Sequence, residues 1–331
     1  MTVFLMPAPR LVIVVPCYNE EEVFSQCLQA LSKLLDTMVQ NHLVLQDSFL
    51  LFVDDGSQDS TWEQIKAACA YKNHVQGIKL SRNEGHQSAL LAGLIAAAPQ
   101  ADAVVSIDAD LQDDIHAIRR MVDAYRAGYD VAYGVRECRQ TDSWFKRTSA
   151  EGFYRLMAIM GVKQVFNHAD FRLLSRRALD NLLGYTERNA YIRGLVPLVG
   201  FPSIEIGYAR GIRTAGESKY PLCKMLALAV KGITSMTITP LRLIAALGLF
   251  ICLLSLVAAL YVLVRTFTGN TVEGWSSIML SIYFMSGVQM LSLGIIGEYI
   301  GKIYLETKRR PRFHVESLLG RDHPAADQFL P

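Results

Sequence analysis

The 331-residue sequence predicts an α/β domain with a mostly parallel sheet, followed by a hairpin of two apolar helices. Short apolar runs alternate with helix-length segments up to about residue 136, which is typical of a parallel sheet covered on both faces. A polar motif follows each of the first four apolar runs. Residues 243–264 and 276–297 contain no charged residue, and these two stretches predict the hairpin.

The alternation gives five strands and four helices in chain order. The predicted strands are 10–15, 48–53, 75–80, 101–108 and 129–135, and the predicted helices are 21–38, a segment from about residue 60, 87–98 and 115–127. Ligands of such sheets bind beyond the carboxyl ends of the strands. The polar motifs that follow the first four strands are PCYNEEE, DDGSQDST, SRNEGH and DADLQDD. We therefore expect them to converge on one cleft.

The motif DADLQDD predicts a metal site. Asp108 and Asp110 are two residues apart, so in an extended backbone their carboxylates point the same way. Paired carboxylates suit Mg²⁺ or Mn²⁺, which keep open positions for substrate phosphates. A lone pair of this kind also occurs by chance in turns and helices. Its place after a buried strand, beside three further motifs, favours metal binding.

The motif DDGSQDST has a structural and a functional interpretation. A tight turn and a helix N-cap explain Gly56, Ser57 and Asp59. They do not explain why Asp54 and Asp55 stand together at the end of a strand. An acid at this place can accept hydrogen bonds from a nucleobase or a ribose, so we favour a functional role for Asp55.

Composition excludes several classes of protein. A net charge of +2 with 19% charged residues does not indicate a nucleic-acid binder. The six cysteines form no CxxC pair and do not cluster with histidines, which argues against structural zinc and a disulfide framework and favours reduced thiols. The first ten residues lack the pattern of a secretory signal.

The hairpin is predicted to cross a membrane, because a helix of about 20 apolar residues spans the hydrocarbon core. Buried helices of a soluble protein are the competing interpretation. Basic residues flank the hairpin on both sides, whereas the loop at 265–275 offers only Arg265. The positive-inside bias then places both ends of the hairpin and the N-terminal domain in the cytoplasm. Residues 221–239 predict an amphipathic helix on the membrane surface, or alternatively a packing helix of the soluble domain.

The motifs together resemble a known family. VVPCYNEEE, VDDGSQDST, RNEGH and DADLQD resemble the inverting GT-A glycosyltransferases. HADFRLLSRRA, YIRG, YARGIRTAGESKY and GEYIGKIYLETKRRP narrow the resemblance to polyisoprenyl-phosphate glycosyltransferases, in particular the GtrB-like bactoprenol glucosyltransferases, which are related to dolichol-phosphate mannose synthase. The resemblance covers nearly the whole chain.

The resemblance implies a GT-A, Rossmann-like domain at 1–220, interfacial helices at 221–240, transmembrane helices at 241–301 and a cytoplasmic tail at 302–331. It implies metal-dependent transfer of glucose from UDP-glucose to undecaprenyl phosphate, at a bacterial inner membrane, for O-antigen or other envelope glycans. Membrane lipids are further expected partners, and a homo-oligomer such as a tetramer is compatible with the lone hairpin.

The resemblance also assigns roles to residues. Substrate binding is expected for Pro16, Tyr18, Glu20, Val53, Asp55, Asp108, Ala109, Asp110, Arg213 and Lys219, and metal binding for Asp110 and Gln112. The sequence departs from the family pattern at Glu84, where an aromatic residue is usual, and at Asp114, where proline is usual.

Asp170, in the motif HADF, is predicted to act as base or orienter for the acceptor phosphate. It should lie beside Arg172, which would hold it ionised. A purely structural Asp170–Arg172 pair is the alternative. Arg213 and Lys219 could likewise form an ordinary basic patch near the membrane. His86 is interpreted as a hydrogen-bond donor within its loop, without a catalytic role.

Other functions remain as alternatives. The donor sugar could be mannose or an aminoarabinose derivative on the same lipid. A processive polysaccharide synthase usually has more membrane spans and a QxxRW-like motif, and neither is found here. A membrane scaffold or flippase with a degenerate nucleotide fold would predict a broken DxD motif, but the motif is intact.

Overall fold

The structure is a computed structural model that describes residues 6–136, 168–187, 192–209, 239–267 and 274–320. These residues fall into two compact units. One unit contains the described residues up to 209 together with 310–320, and the other contains 239–309. Of the predicted interfacial helix at 221–239, all but residue 239 lies outside the described residues. Arg213 and Lys219 also lie outside them.

The first unit is built on one mixed sheet. Its strands are β1 (Leu11–Cys17), β2 (Phe49–Asp54), β3 (Val75–Leu80), β4 (Ala103–Ser106), β5 (Val131–Arg136), β6 (His168–Ser175), β7 (Ser203–Tyr208) and β8 (Val315–Leu319). Their order across the sheet is β7-β5-β6-β4-β1-β2-β3-β8. The pairs β4–β1, β1–β2, β2–β3 and β5–β7 are parallel, whereas β6 and β8 run antiparallel to their neighbours. The predicted mostly parallel sheet is confirmed.

Helices cover both faces of this sheet. They are α1 (Phe24–Gln40), α2 (Thr61–Tyr71), α3 (His86–Ala97), α4 (Ala117–Arg126), α5 (Arg176–Leu183) and α6 (Ile192–Leu195). Side chains of β1 alternate between two cores: Ile13 packs in the cluster that includes α1, α2 and α4, and Val14 packs in the cluster that includes α3 and α5. Burial on both faces explains why the strands read as continuous apolar runs.

Three strands were not predicted. β6 was recognised only as the motif HADFRLLS, and β7 alternates between exposed and partly buried residues. β8 lies in the segment predicted as a tail. Phe313 is buried just before β8, and the backbone N–H of Ser81 donates to the carbonyl of His314 at 2.9 Å. Residues 313–319 therefore form the edge of the sheet beside β3.

Helix α3 packs very closely on β1 and β2 at Gly93. A Cβ atom at this position would lie 2.4 Å from Cγ1 of Val14 and 2.9 Å from Cγ2 of Val53. The absence of a side chain therefore sets the distance between helix and sheet.

We expect Gly93→Val to destabilise the first unit by about 1–3 kcal/mol, because extra carbon atoms in a packed core force backbone shifts. The melting temperature, followed by circular dichroism, measures the effect. Gly93→Ala should lie between wild type and Gly93→Val. Equal melting temperatures for all three proteins would contradict the packing described for α3.

The second unit consists of two helices, α7 (Thr239–Phe267) and α8 (Trp275–Thr307), which contact each other where the hairpin was predicted. Within the described part of the chain, neither these helices nor any other combine the length and apolarity needed to cross a membrane. The two predicted transmembrane spans are therefore not supported, although the helices themselves are present.

Candidate active site

The carboxyl ends of β1, β2, β3 and β4 surround a pocket with a volume of about 260 Å³. We call it the strand-end pocket. It is lined by Pro16, Cys17, Tyr18, Glu20, Asp55, Asn83, Gly85, His86, Ala89, Asp108, Ala109 and Asp110. All four polar motifs contribute to this lining. The expected convergence of the motifs on one cleft is confirmed.

Most of the predicted substrate-binding residues line the strand-end pocket, but Val53 and Ala109 among them, and the predicted metal ligand Gln112, need comment. Val53 is fully buried within β2 and is not part of the lining. Gln112 is 5% exposed and also lies outside the lining. Ala109 is buried, yet it reaches the pocket. Their predicted roles stay predictions.

Asp55 fixes the loop that leads into α3. Its Oδ1 accepts the backbone N–H of Glu84 at 2.8 Å, and its Oδ2 accepts that of Gly85 at 2.9 Å. Burial raises the pKa of Asp55, and these two hydrogen bonds offset part of that rise. Gly56 lets the two loops approach, since its φ is +67° and a Cβ would lie 2.5 Å from the carbonyl carbon of Arg82. Glu84, the departure noted in the sequence, pairs with Arg82 at 2.6 Å.

The DxD motif lies in the loop after β4, because the strand ends at Ser106 rather than at residue 108. Leu111 has a φ of +51°, and Oδ1 of Asp110 accepts the backbone N–H of Gln112 at 3.1 Å. Burial raises the pKa of Asp108, and the nearby carboxylates of Asp170, Asp113 and Asp110 add to the rise, while His86 opposes it. The acids in and beside this loop therefore repel one another.

These residues fit a divalent cation that retains open positions. The described residues contain no cluster of three His, Cys, Asp or Glu side chains that could hold a metal alone. Asp108 and Asp110 both line the strand-end pocket, so two carboxylate ligands are available there. Mg²⁺ is commonly bound by one or two carboxylates together with substrate phosphates. The donor set therefore suits a cation that binds with its substrate.

Strand β6 brings Asp170 to the same edge of the sheet. β6 is antiparallel to β4, and Ser106 pairs with Arg172. Two residues after Ser106 and two residues before Arg172, this register places Asp108 across from Asp170. The hydroxyl of Ser106 donates to the backbone carbonyl of Asp170 and fixes the end of the strand.

The Asp170 carboxylate is buried and fully engaged. Its side chain is 3% exposed. Its Oδ1 accepts a hydrogen bond from Nη2 of Arg172 at 2.6 Å. Its Oδ2 accepts hydrogen bonds from Nη2 of Arg193 at 2.8 Å and from Nε2 of Gln87 at 3.3 Å. Burial alone would raise the pKa of Asp170, but hydrogen bonding to His86 and the charges of both arginines hold the pKa well below its usual range. The predicted contact with Arg172 is confirmed.

His86 joins the two acids, contrary to its interpretation as a loop residue. Its Nε2 lies 3.5 Å from Oδ2 of Asp170 and 3.6 Å from Oδ1 of Asp108. Burial lowers the pKa of His86, but the two carboxylates outweigh burial and raise it. Gln87 and Arg193 were also missed as neighbours of Asp170. Gln87 directly follows the motif SRNEGH, and Arg193 lies in the motif YIRG. Neither motif indicates that its residue packs against β6.

A second polar cluster fixes the DLQDD loop from the other side. Asp113 is 3% exposed, and its Oδ1 accepts the hydroxyl of Tyr208 at 2.7 Å and Nη2 of Arg136 at 3.2 Å. Burial and Asp113 raise the pKa of Tyr208. Arg136 and Tyr208 end β5 and β7. The loop that carries the DxD motif is therefore tied to two further strand ends.

Comparison with known proteins identifies the class. Residues 12–183 match the sequence profile of Glycosyl transferase family 2, and residues 239–303 match that of the GtrB C-terminal hairpin. The protein is thus an enzyme, a glycosyltransferase. The chain belongs to glycosyl transferase family 2, and the resemblance recognised in its motifs is confirmed.

Two curated relatives align over most of the chain. A bactoprenol glucosyl transferase of Shigella phage SfX is 37% identical over 313 residues, which cover 93% of this chain and 99% of that protein. An uncharacterized glycosyltransferase, YkoT, of Bacillus subtilis is 49% identical over 308 residues, which cover 93% and 91%.

Among solved structures, a similar chain is glucosyl-3-phosphoglycerate synthase from Mycobacterium tuberculosis in complex with Mn²⁺, uridine-diphosphate-glucose and phosphoglyceric acid. It is 18% identical with a TM-score of 0.43, and the match covers 68% of this chain and 77% of that one.

Proposed function

We propose that this enzyme transfers a sugar, glucose from UDP-glucose, to a polyisoprenyl phosphate such as undecaprenyl phosphate, with inversion at the anomeric carbon. The observation that carries the proposal is the strand-end pocket, which is lined by the carboxylates of Asp108 and Asp110, with the arginine-bound Asp170 behind His86. The hairpin match and the bactoprenol glucosyl transferase relatives support the lipid acceptor.

The donor would lie in the strand-end pocket. Asp55, at the end of β2, would accept hydrogen bonds from the base or ribose with the lone pairs that the loop amides leave open. Asp108 and Asp110 would hold Mg²⁺ or Mn²⁺, with Gln112 as the further ligand expected from the resemblance. When bound, the cation would neutralise charge on the departing diphosphate. Arg213 and Lys219 would add positive charge near the diphosphate or acceptor phosphate.

Asp170 is better suited to orient than to accept a proton. Its two oxygens already accept hydrogen bonds from Arg172, Arg193 and Gln87, and its pKa is held well below the usual range. A phosphate monoester is also largely ionised at neutral pH, so its attack needs little help from a base. We therefore assign Asp170 the orienting role among the two that the sequence left open.

The experiment that tests the donor is a panel of radiolabelled sugar nucleotides. Purified protein is incubated with Mg²⁺, undecaprenyl phosphate and each nucleotide in turn, and label that enters the organic phase is counted. We expect the highest rate with UDP-glucose. Preferential transfer of mannose or an aminoarabinose derivative would contradict UDP-glucose as the donor but would still support the lipid phosphate as the acceptor.

We further propose that the hairpin associates the enzyme with a lipid surface. Phe250, Leu253, Val257 and Leu260 recur at helical spacing along α7, and each is between 57% and 65% exposed. Extended apolar surface of this kind is costly in water and marks contact with a membrane or a partner.

We expect the triple substitution Leu253→Asp, Val257→Asp, Leu260→Asp to release most of the protein from phospholipid vesicles, because three carboxylates would replace apolar contact with lipid. Co-sedimentation with vesicles measures the bound fraction. The control is Leu253→Ile, Val257→Ile, Leu260→Ile, which keeps the surface apolar. Equal sedimentation of both variants would contradict the role of this face of α7.

A further inference from the structure

The described lining of the strand-end pocket is strongly acidic. Glu20, Asp55, Asp108 and Asp110 contribute carboxylates, and His86 contributes an imidazole whose Nε2 lies 3.5 Å from Oδ2 of Asp170. A substrate with phosphate groups requires hydrogen-bond donors, and carboxylates repel it. Tyr18, Asn83 and His86 are lining side chains that can donate. Of these three, His86 is the one shown beside Asp170, so it is best placed to contact a phosphate oxygen of the acceptor.

His86 and Asp170 differ in how far their side chains are exposed. The Asp170 side chain is 3% exposed and its oxygens are occupied by the arginines and Gln87, whereas the His86 side chain is 43% exposed. A substrate entering the pocket would meet the imidazole before it could meet the Asp170 carboxylate. Asp170 would then act on the substrate through His86.

The position of His86 is fixed from two sides. It is the first residue of α3, and the preceding residues Glu84 and Gly85 are tied to Asp55 through their backbone N–H groups. Its Nε2 is 3.5 Å and 3.6 Å from the nearest oxygens of Asp170 and Asp108. The contact with Asp108 is too long for a hydrogen bond and the contact with Asp170 is at the limit, so a phosphate oxygen can compete for the proton on Nε2.

We propose that His86 donates a hydrogen bond from Nε2 to a phosphate oxygen of the lipid acceptor and thereby holds it for attack. Before the phosphate binds, the long contact of Nε2 with Asp170 holds the imidazole in place. This inference rests on the proposed polyisoprenyl phosphate acceptor. The diphosphate of the donor offers the same chemistry, so the experiment measures both ligands separately.

The experiment is isothermal calorimetry of the full-length protein with farnesyl phosphate, a short polyisoprenyl monophosphate, and separately with UDP-glucose and Mg²⁺. The variants are His86→Asn, which withdraws the donor from the pocket, and His86→Gln, whose amide N–H reaches about as far as Nε2. The matched control is His42→Asn, at an exposed position with a φ of +53° that asparagine tolerates.

We expect His86→Asn to weaken farnesyl phosphate binding about 10- to 100-fold, as for the loss of a charged hydrogen bond, with UDP-glucose affinity within about twofold of wild type. His86→Gln should recover part of the loss, and His42→Asn should match wild type. The KM for the lipid phosphate in the transfer assay should rise in parallel in His86→Asn.

Two results would overturn the proposal about His86 alone. One is equal binding of farnesyl phosphate by wild type and His86→Asn, and the other is a loss confined to UDP-glucose, which would assign His86 to the donor. Failure of the wild-type protein to bind farnesyl phosphate at all would refute the acceptor, and with it both the proposed function and the role of His86.

Discussion

Asp170→Asn is expected to lower kcat by about 10²-fold, because a misplaced positioning group costs about this much. The substitution keeps the shape of the side chain but removes the charge that faces Arg172, Arg193 and His86. Donor affinity, measured by calorimetry, should barely change, because Asp170 does not line the strand-end pocket where we place the nucleotide.

Stability must be measured with activity, because Arg172 is 1% exposed and would lose a charged partner. Breaking a buried ion pair costs about 3–5 kcal/mol. Asp130→Asn is the control for the loss of a buried carboxylate. Asp130 is 4% exposed and pairs with Arg177, which is 58% exposed, and it precedes β5 at the opposite end of the strands. Asp130→Asn should lower the melting temperature and leave kcat per folded molecule unchanged. The same pattern for Asp170→Asn would show that Asp170 is only a structural partner of Arg172.

Asp110→Asn is expected to reduce transfer by at least about 10²-fold, because the proposed cation would supply several kcal/mol of stabilisation to the departing diphosphate and each 1.36 kcal/mol changes the rate tenfold. Asparagine can still accept the N–H of Gln112, so the loop should keep its conformation. The rate is measured as a function of Mg²⁺ and Mn²⁺ concentration, and the metal requirement should shift upward in the variant.

The control for Asp110→Asn is Asp114→Asn, in the same loop. Asp114 accepts the backbone N–H of His116 at 2.9 Å before α4 and does not line the strand-end pocket. It should retain the activity and metal response of wild type. Full activity of Asp110→Asn in buffer containing EDTA would contradict metal-dependent transfer.

Much of the first unit could be predicted from the sequence because its central strands are buried on both faces. β3 was predicted at its observed bounds, and β1 and β2 were predicted within two residues at either end. Their apolar runs are long enough to stand out from the helices. The motifs at their carboxyl ends then had to converge, because parallel strands end at the same edge.

The surroundings of Asp170 could not be predicted in this way. β6 runs antiparallel between β4 and β5, so the start of β6, not its end, faces the strand-end pocket. The sequence placed Arg172 beside Asp170, because the two are close in the chain. It could not place Arg193 or His86, since they come from α6 and α3 and meet Asp170 only through tertiary packing.

In the hairpin region the helices could be predicted, but the path of the chain after them could not. The uncharged runs 243–264 and 276–297 predicted two helices, and α7 and α8 contain them. Hydropathy read in this way does not reveal that the chain after α8 returns to the sheet. β8 pairs with β3 through backbone hydrogen bonds and the ion pair of Lys79 with Glu316 at 3.0 Å, a pairing over more than 200 residues that local sequence does not encode.

The most direct test of the proposed function is to characterise the product. Wild-type protein is incubated with UDP-glucose, Mg²⁺ and undecaprenyl phosphate, and the lipid product is examined by mass spectrometry and by NMR of the anomeric proton. We predict glucose joined through the phosphate to the lipid, in the β configuration that inversion of the α-linked donor gives, with one UDP released per glucose transferred. An α-linked product would contradict inversion, and release of UDP with only free glucose would contradict transfer to the lipid phosphate.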